Sequence, residues 1–203
     1  MRDWWLRTLL VLQRPRPVFV ALRDDSKEAA GDMAEPILLI VILAGIAGVL
    51  TTGTAARLND GGDFDPGLIA IWAFFFGAIY GAFGYFAVGG LLHVAAKGFG
   101  SLGTYRRSRH VLAFASVPMA LSLVLWPVKL ALYGGAWFRV GGGDTHSGGA
   151  VFDLLTYAFF AWALALLVTG VRSVHGWSWG RAAAATGLAL VVPVVVAIAS
   201  TSV

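Results

Sequence analysis

The sequence predicts an all-α fold: a polytopic membrane protein whose five transmembrane helices form a bundle, preceded by an N-terminal interfacial amphipathic helix. Three observations carry this. The 203 residues are 58% hydrophobic and only 13% charged, with a mean hydropathy of +0.77, whereas a soluble domain is about 45–50% apolar and about 25% charged. Five nearly uncharged runs reach the roughly 20 residues that a 30 Å hydrocarbon core requires at 1.5 Å per residue. Lys and Arg gather at the ends of those runs. A water-soluble enzyme does not fit this composition. A disordered chain is excluded by 13 Phe, 8 Trp and 5 Tyr set in long apolar runs. With no Cys, disulfides, thiolate metal sites and cysteine nucleophiles are ruled out.

The organisation predicted is a cytoplasmic amphipathic and linker segment over residues 1–35, followed by a five-span membrane domain over 36–203. In the N-terminal segment Asp3 is placed as an N-cap. Trp5, Leu9 and Leu12 recur at helical spacing, and Pro15 ends the pattern. This predicts a helix on the inner leaflet, with Trp4 and Trp5 as interfacial anchors and its arginines toward anionic lipid. Arg7 interrupts the run and no small-residue cleavage site follows, which excludes a signal peptide. Residues 23–35 read as a solvated linker or short surface helix.

The spans are expected at about 36–56, 68–96, 111–135, 150–171 and 182–201. The first opens at Pro36, where a helix start tolerates proline. The second is longer than a bilayer and must tilt or project. The third carries Pro118 and Pro127, which predict kinks, together with Lys129. The fourth includes Asp153 near its start, and the fifth is interrupted only by Pro193.

Orientation follows from the basic residues. With the N-terminus inside, twelve lie on the inner side: Arg2, Arg7, Arg14, Arg16, Arg23, Lys27, Lys97, Arg106, Arg107, Arg109, Arg172 and Arg181. Three lie outside or near the outer end: Arg57, Lys129 and Arg139. That ratio predicts a cytoplasmic N-terminus and an external C-terminus. The pI near 9.8 is therefore topological and does not point to nucleic acid, whose recognition needs a basic soluble face. Arg outnumbers Lys amid abundant Ala, Gly and Val, which suggests a GC-rich bacterial genome and hence a bacterial cytoplasmic membrane.

Two stretches carry a resemblance: RPRPVFVALRDDSKEAAGDMAEP (14–36), running straight into a span, and LLHVAAKGFGSLGTYRRSRHVLAFASVP (91–118). Together they resemble the Yip (Ypt-interacting protein) family of integral membrane domains, over nearly the whole chain. The resemblance implies five spans, a cytoplasmic N-terminus and a non-catalytic membrane protein. Eukaryotic members are associated with Rab-type GTPases and vesicle traffic. The 35-residue N-terminal segment here lacks their longer cytosolic tail and tyrosine-containing acidic motif, so the bacterial branch is the nearer resemblance.

Gly98, Gly100 and Gly103 satisfy G-x-G-x-x-G, yet an apolar span precedes them and no acidic residue follows before Asp144, so a dinucleotide site is not expected. The same glycines with Lys97, Arg106, Arg107 and Arg109 form an acid-free basic loop. It could bind anionic headgroups through a backbone nest and positive charge, or merely set topology. His110 beside it could add pH-dependent charge. Lys129 and Asp153 lie at similar depth and are expected to approach each other or the outer headgroups. His93 reads as a proton relay or, more simply, a hydrogen-bonded neighbour of a carbonyl. Gly77, Gly81 and Gly84, with Tyr80 and Tyr85 alongside, read as a helix-packing stripe, either between copies or within one bundle. Asp144, His146, His93, His110 and His175 match no metal-ligand spacing, and Ser116 has no triad partners. No catalytic residue, cofactor or metal is expected. The partners expected are the bilayer with its anionic lipids and another membrane or cytoplasmic protein, with a homo-oligomer left open. The function expected is an adaptor, scaffold or membrane-organising role. The alternative is a small transporter or lipid-translocating channel with a polar path past Tyr80, His93, Lys129 and Asp153.

Overall fold

A computed structural model describes residues 2–51, 66–134 and 149–201. Within these residues all regular structure is helical. Two short helices, α1 (Arg2–Gln13) and α2 (Pro15–Ala21), lead into α3 (Lys27–Thr51) and α4 (Pro66–Gly98). A segmented stretch follows: α5 (Tyr105–Ala115), α6 (Val117–Leu121), a 3₁₀ turn (Ser122–Val124) and α7 (Leu125–Tyr133). The last helices are α8 (Gly149–His175) and α9 (Trp179–Thr201). Four stretches are long and apolar enough to cross a membrane: Lys27–Thr51, Gly67–Gly98, Tyr105–Tyr133 and Gly149–His175. The apolar helix Trp179–Val195 is shorter.

Helix boundaries follow local chemistry. Ser26 caps α3: its Oγ accepts the Ala29 N–H at 3.2 Å and its carbonyl accepts the Ala30 N–H at 3.1 Å. The helix therefore starts at Lys27, nine residues before the apolar run, and passes through residues 35 and 36 without a break, with Pro36 buried inside it. In the third apolar run the prolines act as expected, but by restarting helices. Ser116 closes α5 by donating its N–H to Leu112 and Ala113 carbonyls, 3.0 Å each. Pro118 then sits in the first turn of α6, and Pro127 within the first turn of α7, where a missing N–H breaks no helical bond.

The core gives the N-terminal segment a place the sequence did not indicate. Among the largest fully buried side chains are Phe19, Phe114, Leu22, Met33, Val11, Val18 and Val171, four of them from α1, α2 and the residue that follows. The apolar face read from the sequence, Trp5–Leu9–Leu12, is not the one that packs on the protein. Trp4 and Val11 are buried, while Trp5 and Leu9 are exposed. Trp4 packs its ring on Phe114 with centroids 5.5 Å apart, so of the two expected anchors only Trp5 faces outward. Phe19 lies over Gly170, where an added Cβ would stand 2.9 Å from Phe19 Cε1 and 2.8 Å from Val111 Cγ1.

Glycines also set the α3–α4 seam. A Cβ on Gly45 would fall 2.6 Å from the Gly81 nitrogen, and one on Gly77 would fall 2.6 Å from the Ile46 Cα. Gly77 and Gly81 are thus packing residues inside one bundle. Gly84, grouped with them by spacing, has nothing within 4 Å of its Cβ position and takes no part in the seam.

Candidate functional site

Three connections meet at one end of the bundle: the α2–α3 linker, the α4–α5 loop and the α8–α9 turn. Two of them are the same kind of turn. After α4 the Ser101 N–H donates to the Ala96 carbonyl at 3.0 Å and the Gly100 N–H to the Lys97 carbonyl at 2.8 Å, with Gly100 left-handed at φ +78°. After α8 the Trp177 N–H donates to the Arg172 carbonyl at 3.2 Å, with Gly176 at φ +68°. Both place a glycine where an L side chain is strained, which is the Schellman way of ending a helix.

Arginines tie these ends together. Arg23 caps α8, donating from Nη2 to the Ser173 carbonyl at 2.6 Å and from Nε to the Val174 carbonyl at 3.1 Å. Arg181 donates to the Phe99 carbonyl and lies over the Trp177 ring at 4.4 Å. Arg107 reaches back to the Arg23 carbonyl at 2.7 Å. Three segments far apart in sequence thus close into one platform. A cation at a helix C-terminus is electrostatically favourable as well as hydrogen-bonded, so these residues act on the fold in addition to any effect on topology.

Asp25 is the acidic pin of the platform. Its carboxylate accepts from Arg106 Nε at 2.8 Å and from the Thr104 hydroxyl, and its carbonyl accepts from Arg106 Nη2. Thr104 in turn N-caps α5, its Oγ1 taking the Arg107 N–H at 3.1 Å. Burial pushes the Asp25 carboxyl upward, but the Thr104 hydroxyl and the Arg106 guanidinium outweigh it, so the group titrates below the ordinary 3.8.

Of the two readings of the basic loop, the backbone nest finds its N–H groups already engaged. The Gly100 and Ser101 N–H groups are spent on helix capping, and the Gly103 N–H donates to Ser101 Oγ at 3.0 Å. An anion would have to displace these bonds. Gly98 and Lys97 are exposed at the end of α4, and Leu102 stands almost entirely free at the loop tip. Arg109 points elsewhere. Its guanidinium is surrounded by the rings of Tyr105, Phe86 and Tyr85 at 4.5, 4.7 and 5.0 Å, and an added Cβ on Gly89 would meet its Cγ at 2.6 Å. Tyr105 adds a hydroxyl bond to the Phe86 carbonyl at 2.7 Å. Arg109 therefore clamps α5 to α4 by cation–π contact.

The residues expected along a polar path are not brought together. Lys129 is buried, with its Nζ 4.6 Å from the Trp126 ring centre and 5.5 Å from that of Phe152. Asp153, the neighbour of Phe152, is exposed, so the two charges, expected to meet each other or the outer headgroups, lie in different surroundings. Successive helical residues diverge by about 100°, and Phe152 takes the inward direction. His93 lies at the basic end beside Tyr105, with ring centres 5.9 Å apart, and Tyr80 packs its ring against Gly48. His110 is buried in α5, and Ser116 donates its hydroxyl to Leu112 at 2.8 Å. His175 faces Ser101 Oγ at 3.3 Å and stacks on Trp177 at 4.5 Å. Arg57, Asp60, Asp63, Asp65, Arg139, Asp144 and His146 lie outside the described residues.

The Yip1 domain model matches residues 9–201. The chain belongs to this family. It is a multi-pass membrane protein of the Yip type, and the match begins inside α1, which agrees with the burial of α2 in the core. No curated protein and no solved structure matches the chain.

In this Yip1-domain protein, sequence reasoning singled out the basic loop and counted Arg23 and Arg181 for topology, but missed Asp25 and Thr104 and the bonds that Arg23, His175 and Arg181 make to the loop. Two signals were readable. Thr104 and Ser26 are hydroxyl residues placed immediately before helical runs, the usual N-cap pattern.

Proposed function

We propose that this is a non-catalytic membrane-organising protein or adaptor whose working face is the basic end of the bundle. One observation carries the reading: residues 23–25, 97–107 and 172–181 close into one hydrogen-bonded platform. These are the segments that the positive-inside count assigns to a common side. On this reading the N-terminus is cytoplasmic and α9 is the fifth span, since its 23 residues extend about 34 Å. The C-terminus is then external and the membrane is the bacterial plasma membrane. Lys97 and the outward edges of Arg106 and Arg107 present positive charge to anionic headgroups, each worth about 1 kcal/mol near the surface. A cytoplasmic or membrane protein docks on the same face.

The test combines topology with charge. The chain has no Cys, so Leu102→Cys gives a single labelling site at the platform. A membrane-impermeant maleimide should label it only when the cytoplasmic face is open, and labelling from outside intact cells overturns the orientation. Separately, Lys97→Gln with Arg106→Gln and Arg107→Gln should reduce salt-sensitive retention of phosphatidylglycerol by the purified protein several-fold. Retention equal to wild type in the folded variant overturns the headgroup role. Arg106→Lys controls for loss of the Asp25 bond.

A further inference from the structure

The outer face of α1 and α2 poses a problem that their inner face does not. Trp4, Val11, Val18, Phe19 and Leu22 are in the core, yet the opposite side is also apolar: Leu6 is 65% and Leu9 62% exposed, with Trp5, Leu10 and Val20 exposed around them. A helix apolar on two opposite sides has a second face to cover with protein or lipid. With 12 and 7 residues, neither helix can span a bilayer, which needs about 20.

The two form a hairpin. Asp3, Trp4 and Arg7 line one cleft with Ala21, Asp24 and Glu28, so α1 begins beside the place where α2 ends, and the chain reverses around Arg14. Arg23 sits on the end of α8 and Phe19 on Gly170, so α2 follows α8 inward from the platform. The seven residues of α2 extend about 10 Å and the twelve of α1 about 18 Å, so a hairpin that starts at the platform turns near the roughly 15 Å depth of one leaflet's hydrocarbon and does not cross the other. Arg14 and Arg16 at the turn have stems long enough to carry their charges back toward headgroups.

We propose that α1 and α2 are a one-leaflet wedge whose outer face is occupied by acyl chains, so that the protein favours membrane curved toward its basic face. The wedge adds two helices, each about 10 Å across, to the bundle's section in that leaflet alone. This rests on the proposed membrane placement of the basic end. The occupant is lipid because the chain is a membrane protein of this family, the exposed face is apolar like the exposed sides of the spanning helices, and Arg14 and Arg16 beside it suit an anionic leaflet.

The experiment uses the full chain in phosphatidylcholine–phosphatidylglycerol vesicles. Leu9→Cys and Leu6→Cys, each labelled with bimane, should be quenched by lipids carrying a nitroxide on the acyl chain and be insensitive to aqueous iodide. Iodide quenching overturns the wedge. Shielding from both quenchers, with Leu9→Cys cross-linking between copies, shows a second protomer on this face and overturns the lipid occupant. In tethers pulled from giant vesicles holding the protein basic end outward, wild type should be enriched over the parent membrane by at least about twofold. Leu6→Ser with Leu9→Ser should bring the ratio to one with thermal stability retained, and no enrichment of wild type overturns the curvature preference. Failure of the chain to resist carbonate extraction would instead refute the membrane placement on which the proposed function rests.

Discussion

Replacing Gly45 by Ala should open the α3–α4 seam. An added Cβ there would lie 2.6 Å from the Gly81 nitrogen and 2.7 Å from its Cα, against the 3.5–4.0 Å at which heavy atoms pack best. Both obstacles are backbone atoms, so no rotamer change relieves them and the helices must part by about 1 Å. Overpacking of this kind costs about 1–3 kcal/mol, and a backbone clash belongs at the upper end. Alanine returns up to about 1 kcal/mol in helix propensity, leaving a net loss of about 2 kcal/mol, a factor of roughly 30 in the folded-to-unfolded ratio. Gly84→Ala is the internal comparison: with nothing within 4 Å of its Cβ position, it gains the propensity term alone and should be neutral or stabilising. Thermal unfolding of the purified protein in one detergent measures both. If Gly45→Ala and Gly84→Ala behaved alike, close glycine contact would not be what holds α3 to α4.

Three further expectations concern the platform and the N-terminal helices. Asp25 has a folded-state value lowered from 3.8, so its contribution is present above that value and lost as the pH falls through the lower folded one. Asp25→Asn should flatten the acid limb of a stability-against-pH curve. Its cost at neutral pH should be about 1 kcal/mol, the charged hydrogen bonds being discounted for a partly exposed Arg106. Phe19→Ala should destabilise by about 3–5 kcal/mol through the cavity it leaves against Gly170, whereas Val20→Ala on the outer face should stay within about 0.5 kcal/mol. Equal effects would contradict the inward placement of α2. Arg109→Gln should cost about 1–2 kcal/mol by losing its three aromatic partners, and Arg109→Lys should recover only part of it, because a guanidinium plane stacks where an ammonium cannot. Both are measurable as midpoint shifts in the same detergent.

The third apolar run shows how far local reading can go. Pro118 and Pro127 were legible as interruptions because the missing N–H is a local property, and both start new helical segments. Span existence was legible for the same reason: twenty apolar residues in a row are incompatible with water whatever surrounds them. The beginning of α3 at Lys27 was legible only in part, since Ser26 is a recognisable cap but residues 27–35 are polar enough to read as a linker.

Composition, the sum of apolar runs and the placement of arginine determined that this chain is helical and lives in a membrane, since these depend on each residue's own affinity for water. Which face of α1 points inward was left to tertiary structure, because that helix is apolar on two sides and only the presence of Phe114, α2 and α3 selects Trp4 and Val11. The fate of the basic loop was decided the same way. Its glycines and arginines are equally suited to anions and to carbonyls, and the end of α4, the residues Arg23 and Asp25 of the α2–α3 linker and the rings around Arg109, brought beside them by the fold, take up most of those donors. Lys129 and Asp153 share a depth in the sequence, but which way Asp153 faces was decided by the inward packing of its neighbour Phe152, since the angle between successive helical positions is fixed.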